Sequence, residues 1–185
     1  SLDRYGDIDY IVGGIDVVGS FNTKKLHPGL INGNDSILHN YISGGCYVMA
    51  CGKLISRHFF IKNSLWFAEG RLHEDELFSF QLSLYASRVL IVDDPIYRYY
   101  IRLGSITTSK KLKNYSDTLW SIKERYNLYN IHKERFVNLP IKEYFLSRYY
   151  ELSRAIHSSV LDKRTKRGLL AIVRKEVSHI NGICL

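Results

Sequence analysis

Residues 74–92 read EDELFSFQLSLYASRVLIV, and this stretch decides the fold class. Its first part predicts an amphipathic helix over 74–86, because apolar side chains recur at steps of three and four residues. Residues 89–92 are wholly apolar and predict a buried strand, and 10–18 form a second apolar, β-branched run. A helix set between two buried strands is typical of an α/β fold.

Beyond residue 110 the apolar spacing becomes helical throughout and predicts three amphipathic helices, which we expect to form an antiparallel bundle or appendage. The predicted domains are therefore an α/β portion, 1–110, and a basic three-helix extension, 111–185. The three apolar stripes are Tyr115, Leu119, Ile122, Tyr126 and Tyr129; Ile141, Phe145, Tyr149, Leu152 and Ile156; and Leu169, Val173, Val177 and Ile180.

The composition excludes several classes of protein. Hydrophobic residues make up 45% of the 185 and charged residues 24%, which excludes a disordered or fibrous chain. Three cysteines without a C-x-x-C pair argue against a disulfide scaffold or zinc knuckle and favour a reducing compartment, so we expect a cytoplasmic protein. No apolar run reaches the ~18 residues of a membrane-spanning helix, and no leader is recognisable. Because the sequence starts with Ser1, we expect a piece of something longer.

The formal net charge of +8 lies in the C-terminal part. Residues 1–100 hold 9 Lys and Arg against 11 Asp and Glu, whereas 101–185 hold 17 against 7. This asymmetry predicts an anionic partner, either nucleic acid or a membrane surface, although a solvated helical face explains it as well. The cationic segment 161–180 favours peripheral docking at the inner face of a membrane.

Three segments stand in a fixed order: GKLISR (52–57), FAEGRLHEDELF (67–78) and YRYYIRLGSIT (97–107). Together they resemble the C-terminal half of bacterial GT-A, family 2 glycosyltransferases, over about residues 8–108. The resemblance implies a partial GT-A-type, Rossmann-like fold that carries the acceptor side. It also implies inverting transfer from a nucleotide-sugar donor to a saccharide or lipid-linked acceptor hydroxyl, in cell-surface polysaccharide synthesis.

Asp75 is the predicted catalytic base. Inverting transfer requires a group that accepts the proton of the acceptor hydroxyl, and a carboxylate serves this role. In the first turn of a helix, the positive end of the macrodipole favours an ionised carboxylate. A purely structural role is the alternative, since such residues stabilise helices by ~0.3–1 kcal/mol. The flanking matches to the family favour catalysis.

The resemblance implies two further roles. Glu74 orients the substrate or holds a neighbouring loop, and Arg102 with Ser105 lies at the diphosphate, for which the guanidinium fork is suited. His73 precedes the acid pair and is a candidate for contact with the acceptor or a metal, with a structural role as the alternative. Lys53 is a further, weaker candidate for substrate binding, since basic residues near a helix start are usually solvated.

The family places a divalent-metal motif, Asp-x-Asp, at the end of a hydrophobic strand that precedes this region. Here Asp7-Ile8-Asp9 comes before an apolar strand, so we reject it as a metal site. We expect Mg or Mn in a full-length parent, no cofactor in this chain alone and no turnover by this chain alone.

Two other classes remain open. One is a non-catalytic helical module that binds an anionic membrane or nucleic acid, although no nucleic-acid-binding signature is recognisable and we expect no nucleic-acid partner. The other is a scaffold whose transferase part has degenerated, against which the intact Glu74-Asp75 pair argues.

Overall fold

The structure is a computed structural model that describes residues 6–19, 25–101 and 111–182. Its strands and helices, in chain order, are β1 (Tyr10–Val18), β2 (Gly29–Asn32), α1 (Asn34–Ile42), β3 (Lys53–Ile55), α2 (Arg57–Lys62), α3 (Glu74–Tyr85), β4 (Arg88–Tyr100), α4 (Leu112–His132), a 3₁₀ turn (Lys133–Arg135), α5 (Ile141–His157) and α6 (Lys163–Asn181).

The described residues form two compact units. Residues 6–68 and 75–101, apart from the undescribed 20–24, make up the sheet unit. Residues 69–74 and 111–182 make up the helical unit. The segment that leads into α3 therefore groups with helices that lie about forty residues further along the chain.

A four-stranded mixed sheet, in the order β2-β4-β1-β3, organises the sheet unit. β1 pairs in parallel with β4 and antiparallel with β3, and β2 pairs antiparallel with β4. The first half of β1 is buried, as its apolar sequence predicts. The predicted α/β fold class, with a strand-rich part followed by helices, is confirmed.

Two details of the sheet differ from the sequence-based predictions. β4 extends from Arg88 through Pro95 to Tyr100, well beyond the predicted strand 89–92, and β2 is a strand that the apolar pattern did not predict. Proline is tolerated because β2 pairs only with residues 88–91 of β4, so the strand has a single partner at Pro95. There Pro95 stands opposite Gly14, where the register of β1 against β4 shifts.

Helix α3 forms the buried centre of the sheet unit. Every residue from Leu77 to Leu84 is buried, which exceeds the single apolar stripe predicted from spacing. Burying each large apolar side chain contributes about 1.5–3 kcal/mol, so the body of α3 is firmly fixed. Its partners in the core include Tyr10, Val12, Leu26, Ile37, Phe59, Leu65, Val89 and Ile91.

The helical unit contains the three predicted helices, and α5 packs against both α4 and α6. The Asp162 side chain accepts a hydrogen bond from the Thr165 N–H and so caps α6. Gly182 ends α6 in the left-handed conformation that glycine adopts without strain. The interpretation of 111–185 as a separate domain stays a prediction.

We expect Gly14→Ala to lower the free energy of unfolding by about 1–3 kcal/mol, because overpacking forces backbone shifts. A Cβ atom at Gly14 would lie 2.7 Å from the backbone oxygen of Asp93, which cannot rotate away. Gly168→Ala is the control, since Gly168 lies in α6 with open space around it. That variant should gain ~0.5–1 kcal/mol. Urea unfolding followed by circular dichroism measures both, and an unchanged Gly14 variant would contradict this packing.

Candidate functional site

Asp75 occupies the first turn of α3, where the sequence placed it. Its side chain is half-buried, and its Oδ1 accepts a hydrogen bond from the Glu76 N–H at 2.9 Å. The eight residues from Leu77 to Leu84 are buried, so the carboxylate stands at the end of a fixed element. This geometry presents an acidic group at the positive end of a rigid helix.

Lys53 lies in the electrostatic range of Asp75. Burial lowers the pKa of Lys53 from 10.5 to about 8, and electrostatic interactions with Cys46, Asp75 and Cys51 partly offset this effect. The ammonium donates to the backbone oxygen of Tyr47 at 2.9 Å and to that of Met49. Lys53 therefore holds the loop that precedes β3, and its predicted contact with substrate stays a prediction.

The structure describes some of the other predicted site residues. Glu74 is the first residue of α3 and is half-buried, and His73 precedes it with a φ of 63°. Arg102 and Ser105 lie outside the described residues. Arg98, four residues before Arg102, is exposed and forms an ion pair with Asp16 at 2.7 Å.

Aromatic side chains flank α3 in the sheet unit. The Phe67 ring stacks on Phe78 with centroids 3.9 Å apart, so it belongs to the packing. Trp66 is 49% exposed, while its backbone N–H and carbonyl both bond to the Gln81 side chain. A tryptophan face held in this way can stack on a sugar ring.

A cleft of about 260 Å³ opens elsewhere on the sheet unit. It lies between the second half of β1, residues 25–26, Tyr47 and Asp93. Asp75 does not line this cleft, although Tyr47 belongs to the loop that Lys53 holds.

The donor set of the described residues does not fit the divalent metal that the resemblance implies. No three His, Cys, Asp or Glu side chains in 6–19, 25–101 and 111–182 are grouped so as to hold an ion. The Asp9 carboxylate instead accepts hydrogen bonds from the Ser87 N–H and O–H and the Arg88 N–H.

Asp117 of α4, which sequence reasoning missed, contacts the segment just before α3. Its side chain is 2% exposed. Oδ1 accepts from Arg71 Nη1 at 3.1 Å, and Oδ2 accepts from the Leu72 N–H at 2.9 Å and from Lys113 Nζ at 2.8 Å. All four residues belong to the helical unit.

A polar face of α4 extends this contact. Asp117, Ser121 and Arg125 are spaced by four residues and are all buried, and Ser121 Oγ donates to the His73 backbone oxygen at 3.3 Å. Apolar periodicity does not find such a face. The sequence does carry a signal for this face: an acidic residue, a hydroxyl residue and a basic residue follow one another at steps of four, off the apolar stripe of α4.

The comparisons with known proteins show the fold. No family model matches the chain, and no curated protein matches it. Among solved structures, the chain is similar to S. aureus TarS 1-349 in complex with UDP-GlcNAc, with 17% identity and a TM-score of 0.63. The match covers 98% of this chain and 53% of the TarS chain. The chain has a glycosyltransferase-like fold. It spans about half the length of that structure, and its assignment to family 2 stays a prediction.

We expect Lys53→Met to lower the free energy of unfolding by about 1–3 kcal/mol, because the Tyr47 and Met49 oxygens lose their donor. Lys62→Met is the matched control, since Lys62 is exposed in the last turn of α2. Chemical unfolding measures both variants. Equal stability of the two would show that the ammonium does not hold the loop.

The effect of Lys53 should also depend on pH. Between about 8 and 10.5 the unfolded chain keeps a proton that the folded chain has released, so Lys53 makes stability rise with pH in this window. The stability difference between wild type and Lys53→Met should therefore grow by up to about 1.4 kcal/mol per pH unit. A constant difference would contradict the lowered pKa.

Proposed function

We propose that this chain is the acceptor-side part of an inverting, family 2-like glycosyltransferase of cell-surface polysaccharide synthesis. It passes a sugar from a nucleotide-sugar donor to a saccharide or lipid-linked hydroxyl. The observation that supports this most is the position of Asp75, half-buried in the first turn of a rigid helix within a glycosyltransferase-like fold.

In this proposal Asp75 is the general base. The acceptor oxygen attacks the anomeric carbon as the bond from that carbon to the diphosphate oxygen breaks. The hydroxyl proton passes to Asp75, and the leaving diphosphate keeps the electron pair of the broken bond. Attack opposite the leaving group inverts the configuration.

The neighbouring residues position the reactants. Glu74, adjacent to the base on α3, orients the acceptor, and His73 contacts it. Arg102 and Ser105, which the resemblance places at the diphosphate, stabilise the charge that develops on the leaving group. Lys53 keeps the loop near Asp75 in place through its carbonyl contacts.

The donor class rests on similarity. TarS was solved in complex with UDP-GlcNAc, so a UDP-sugar is the first donor to test. Mg or Mn on the diphosphate belongs to the same proposal, through residues other than those described here. Assays therefore use the chain together with any residues that precede it in its gene.

We expect Asp75→Asn to reduce release of UDP from a UDP-sugar by about 10²–10⁴-fold, because the amide cannot accept the proton. Asp35→Asn is the matched control, since Asp35 is also a carboxylate in the first turn of a helix. A panel of UDP-sugars is assayed by UDP release. Near wild-type turnover by the Asp75 variant, or no turnover of any donor by the wild type, would contradict the proposed function.

A second function is favoured by the surface of α6. Its cations Lys163, Arg164, Arg167, Arg174 and Lys175 are all exposed, whereas its apolar residues Leu169, Leu170, Val173 and Ile180 are buried. We propose that this cationic surface docks on an anionic membrane at the inner face, near a lipid-linked acceptor. Because the apolar face is already buried, docking is electrostatic and not by insertion, and each basic residue near the surface contributes about 1 kcal/mol.

Among the described residues, none of the helices combines the length and the apolar character that a membrane-spanning segment requires.

We expect the chain to pellet with anionic phosphatidylserine vesicles and not with neutral vesicles, and less as salt rises. Replacing Arg164, Arg167 and Arg174 by Gln should abolish pelleting. The control replaces the exposed Lys62, Lys133 and Lys142 by Gln, which changes the net charge equally. Equal loss in both variants, or binding to duplex DNA in preference to vesicles, would contradict membrane docking.

A further inference from the structure

Two neighbouring aromatic side chains of the sheet unit are exposed although their backbone is firmly held. Trp66 and Phe67, the aromatic pair, are 49% and 44% exposed, whereas Leu65 before them and Ala68 after them are buried. The Leu65 N–H also donates to the Phe60 backbone oxygen at 3.1 Å. This short segment is therefore anchored on both sides and presents its two largest apolar side chains to solvent.

A buried glutamine fixes the backbone of the first residue of the pair. Gln81 of α3 is 3% exposed. Its side-chain nitrogen donates to the Trp66 carbonyl at 3.0 Å, and its side-chain oxygen accepts from the Trp66 N–H at 3.3 Å. Burying an amide group is costly unless it is hydrogen-bonded, and here both of its polar atoms bond to one residue. The buried Gln81 side chain thus holds Trp66 in place.

The second ring of the pair lies against the helix that carries the proposed base. The Phe67 ring stacks on the buried Phe78 of α3, with centroids 3.9 Å apart. Phe78 follows Asp75 by three residues, so the two are neighbours on one face of α3, about 4.5 Å apart along its axis. The aromatic pair and Asp75 therefore lie along one helix, and all of them belong to the sheet unit.

The chemistry of the aromatic pair fits a neutral saccharide. A pyranose ring has an apolar face of C–H groups that stacks on an aromatic face, while its hydroxyls stay in water. Residues 1–100 carry 11 Asp and Glu against 9 Lys and Arg, so their charge does not favour a polyanion.

The size of the exposed surface also favours a small ligand unit over a protein partner. The exposed parts of two aromatic side chains offer on the order of 200 Å², far less than the roughly 800 Å² that each partner buries in a stable protein interface. A single sugar ring matches an area of this size. Because the backbone beneath the rings is already fixed, binding a sugar there costs little ordering entropy.

We propose that Trp66 and Phe67 form a stacking platform for one sugar unit of a saccharide acceptor, and that Gln81 holds this platform in place. The inference rests on the proposed function and deepens it, because it selects a saccharide as the acceptor. The sugar on the platform is not the reacting one. It belongs to the same acceptor chain, which lies along α3 and brings its reacting hydroxyl to Asp75.

Tryptophan fluorescence tests the platform without any turnover. The chain has two tryptophans, so Trp120→Phe leaves Trp66 as the single tryptophan reporter. We expect a saturable change in its emission with at least one of chitotetraose, cellotetraose and maltotetraose, because a stacked sugar excludes water from the ring. No change with any of these three probes would overturn the proposal.

Calorimetry with the same probe distinguishes stacking from simple apolar contact. Trp66→Leu should weaken binding about three- to tenfold, since leucine keeps apolar area but has no ring face, whereas Trp66→Phe should stay within about twofold. Gln81→Met should also weaken binding about threefold, because the ring remains but its backbone is released. Tyr150→Leu is the matched control, as Tyr150 is an exposed aromatic residue of the helical unit.

Two results of these measurements would contradict the platform. One is equal binding of the probe by wild type and either Trp66→Leu or Gln81→Met. The other is a dimer of the chain, seen in sedimentation, that Trp66→Leu dissociates and the oligosaccharide leaves intact, since the aromatic pair would then join two copies.

UDP release separates this inference from the proposed function. With the same oligosaccharide as acceptor, Trp66→Leu should raise KM for the acceptor about three- to tenfold and leave KM for the UDP-sugar nearly unchanged. A rise in both constants, or in neither, would overturn the platform and leave the role of Asp75 intact. If Asp75→Asn kept full turnover, the proposed function would fail, while binding at Trp66 would still be measurable by fluorescence.

Discussion

The burial of α3 is the constraint on which the candidate site depends. Eight consecutive buried residues, from Leu77 to Leu84, fix the axis of this helix in the core of the sheet unit. A carboxylate in its first turn therefore has little freedom beyond its own side-chain rotations. Because a general base works only within hydrogen-bonding reach of the proton it accepts, a fixed helix is a suitable carrier for Asp75.

The second constraint lies immediately before that helix. Residues 69–74 group with the helical unit, where buried polar side chains of α4 hold the backbone through Asp117 and Ser121. His73, within this segment, has a φ of 63°. The backbone of residues 70–73 thus depends on contacts with residues 43 to 48 positions further along the sequence.

Much of this architecture is predictable from the sequence, because apolar periodicity and β-branched runs report burial directly. They locate β1, α3, the start of β4 and the three helices α4–α6. They fail at Pro95, because tolerance of proline depends on how far the neighbouring strand β2 extends. They also fail at Asp117 and Lys53, because a sequence pattern assigns an acidic or basic side chain to the solvent-exposed surface. Only the tertiary contacts show that these two side chains are buried. The similarity to TarS shows the fold at 17% identity.

Chemical rescue tests the central claim most directly. In Asp75→Ala the base is missing but the space of its carboxylate remains, so added formate can accept the acceptor proton in its place. We predict that formate restores UDP release in this variant in proportion to its concentration, with circular dichroism unchanged and wild-type turnover unaffected. Full turnover of Asp75→Ala without formate, or no recovery at any formate concentration in the folded variant, would contradict the account.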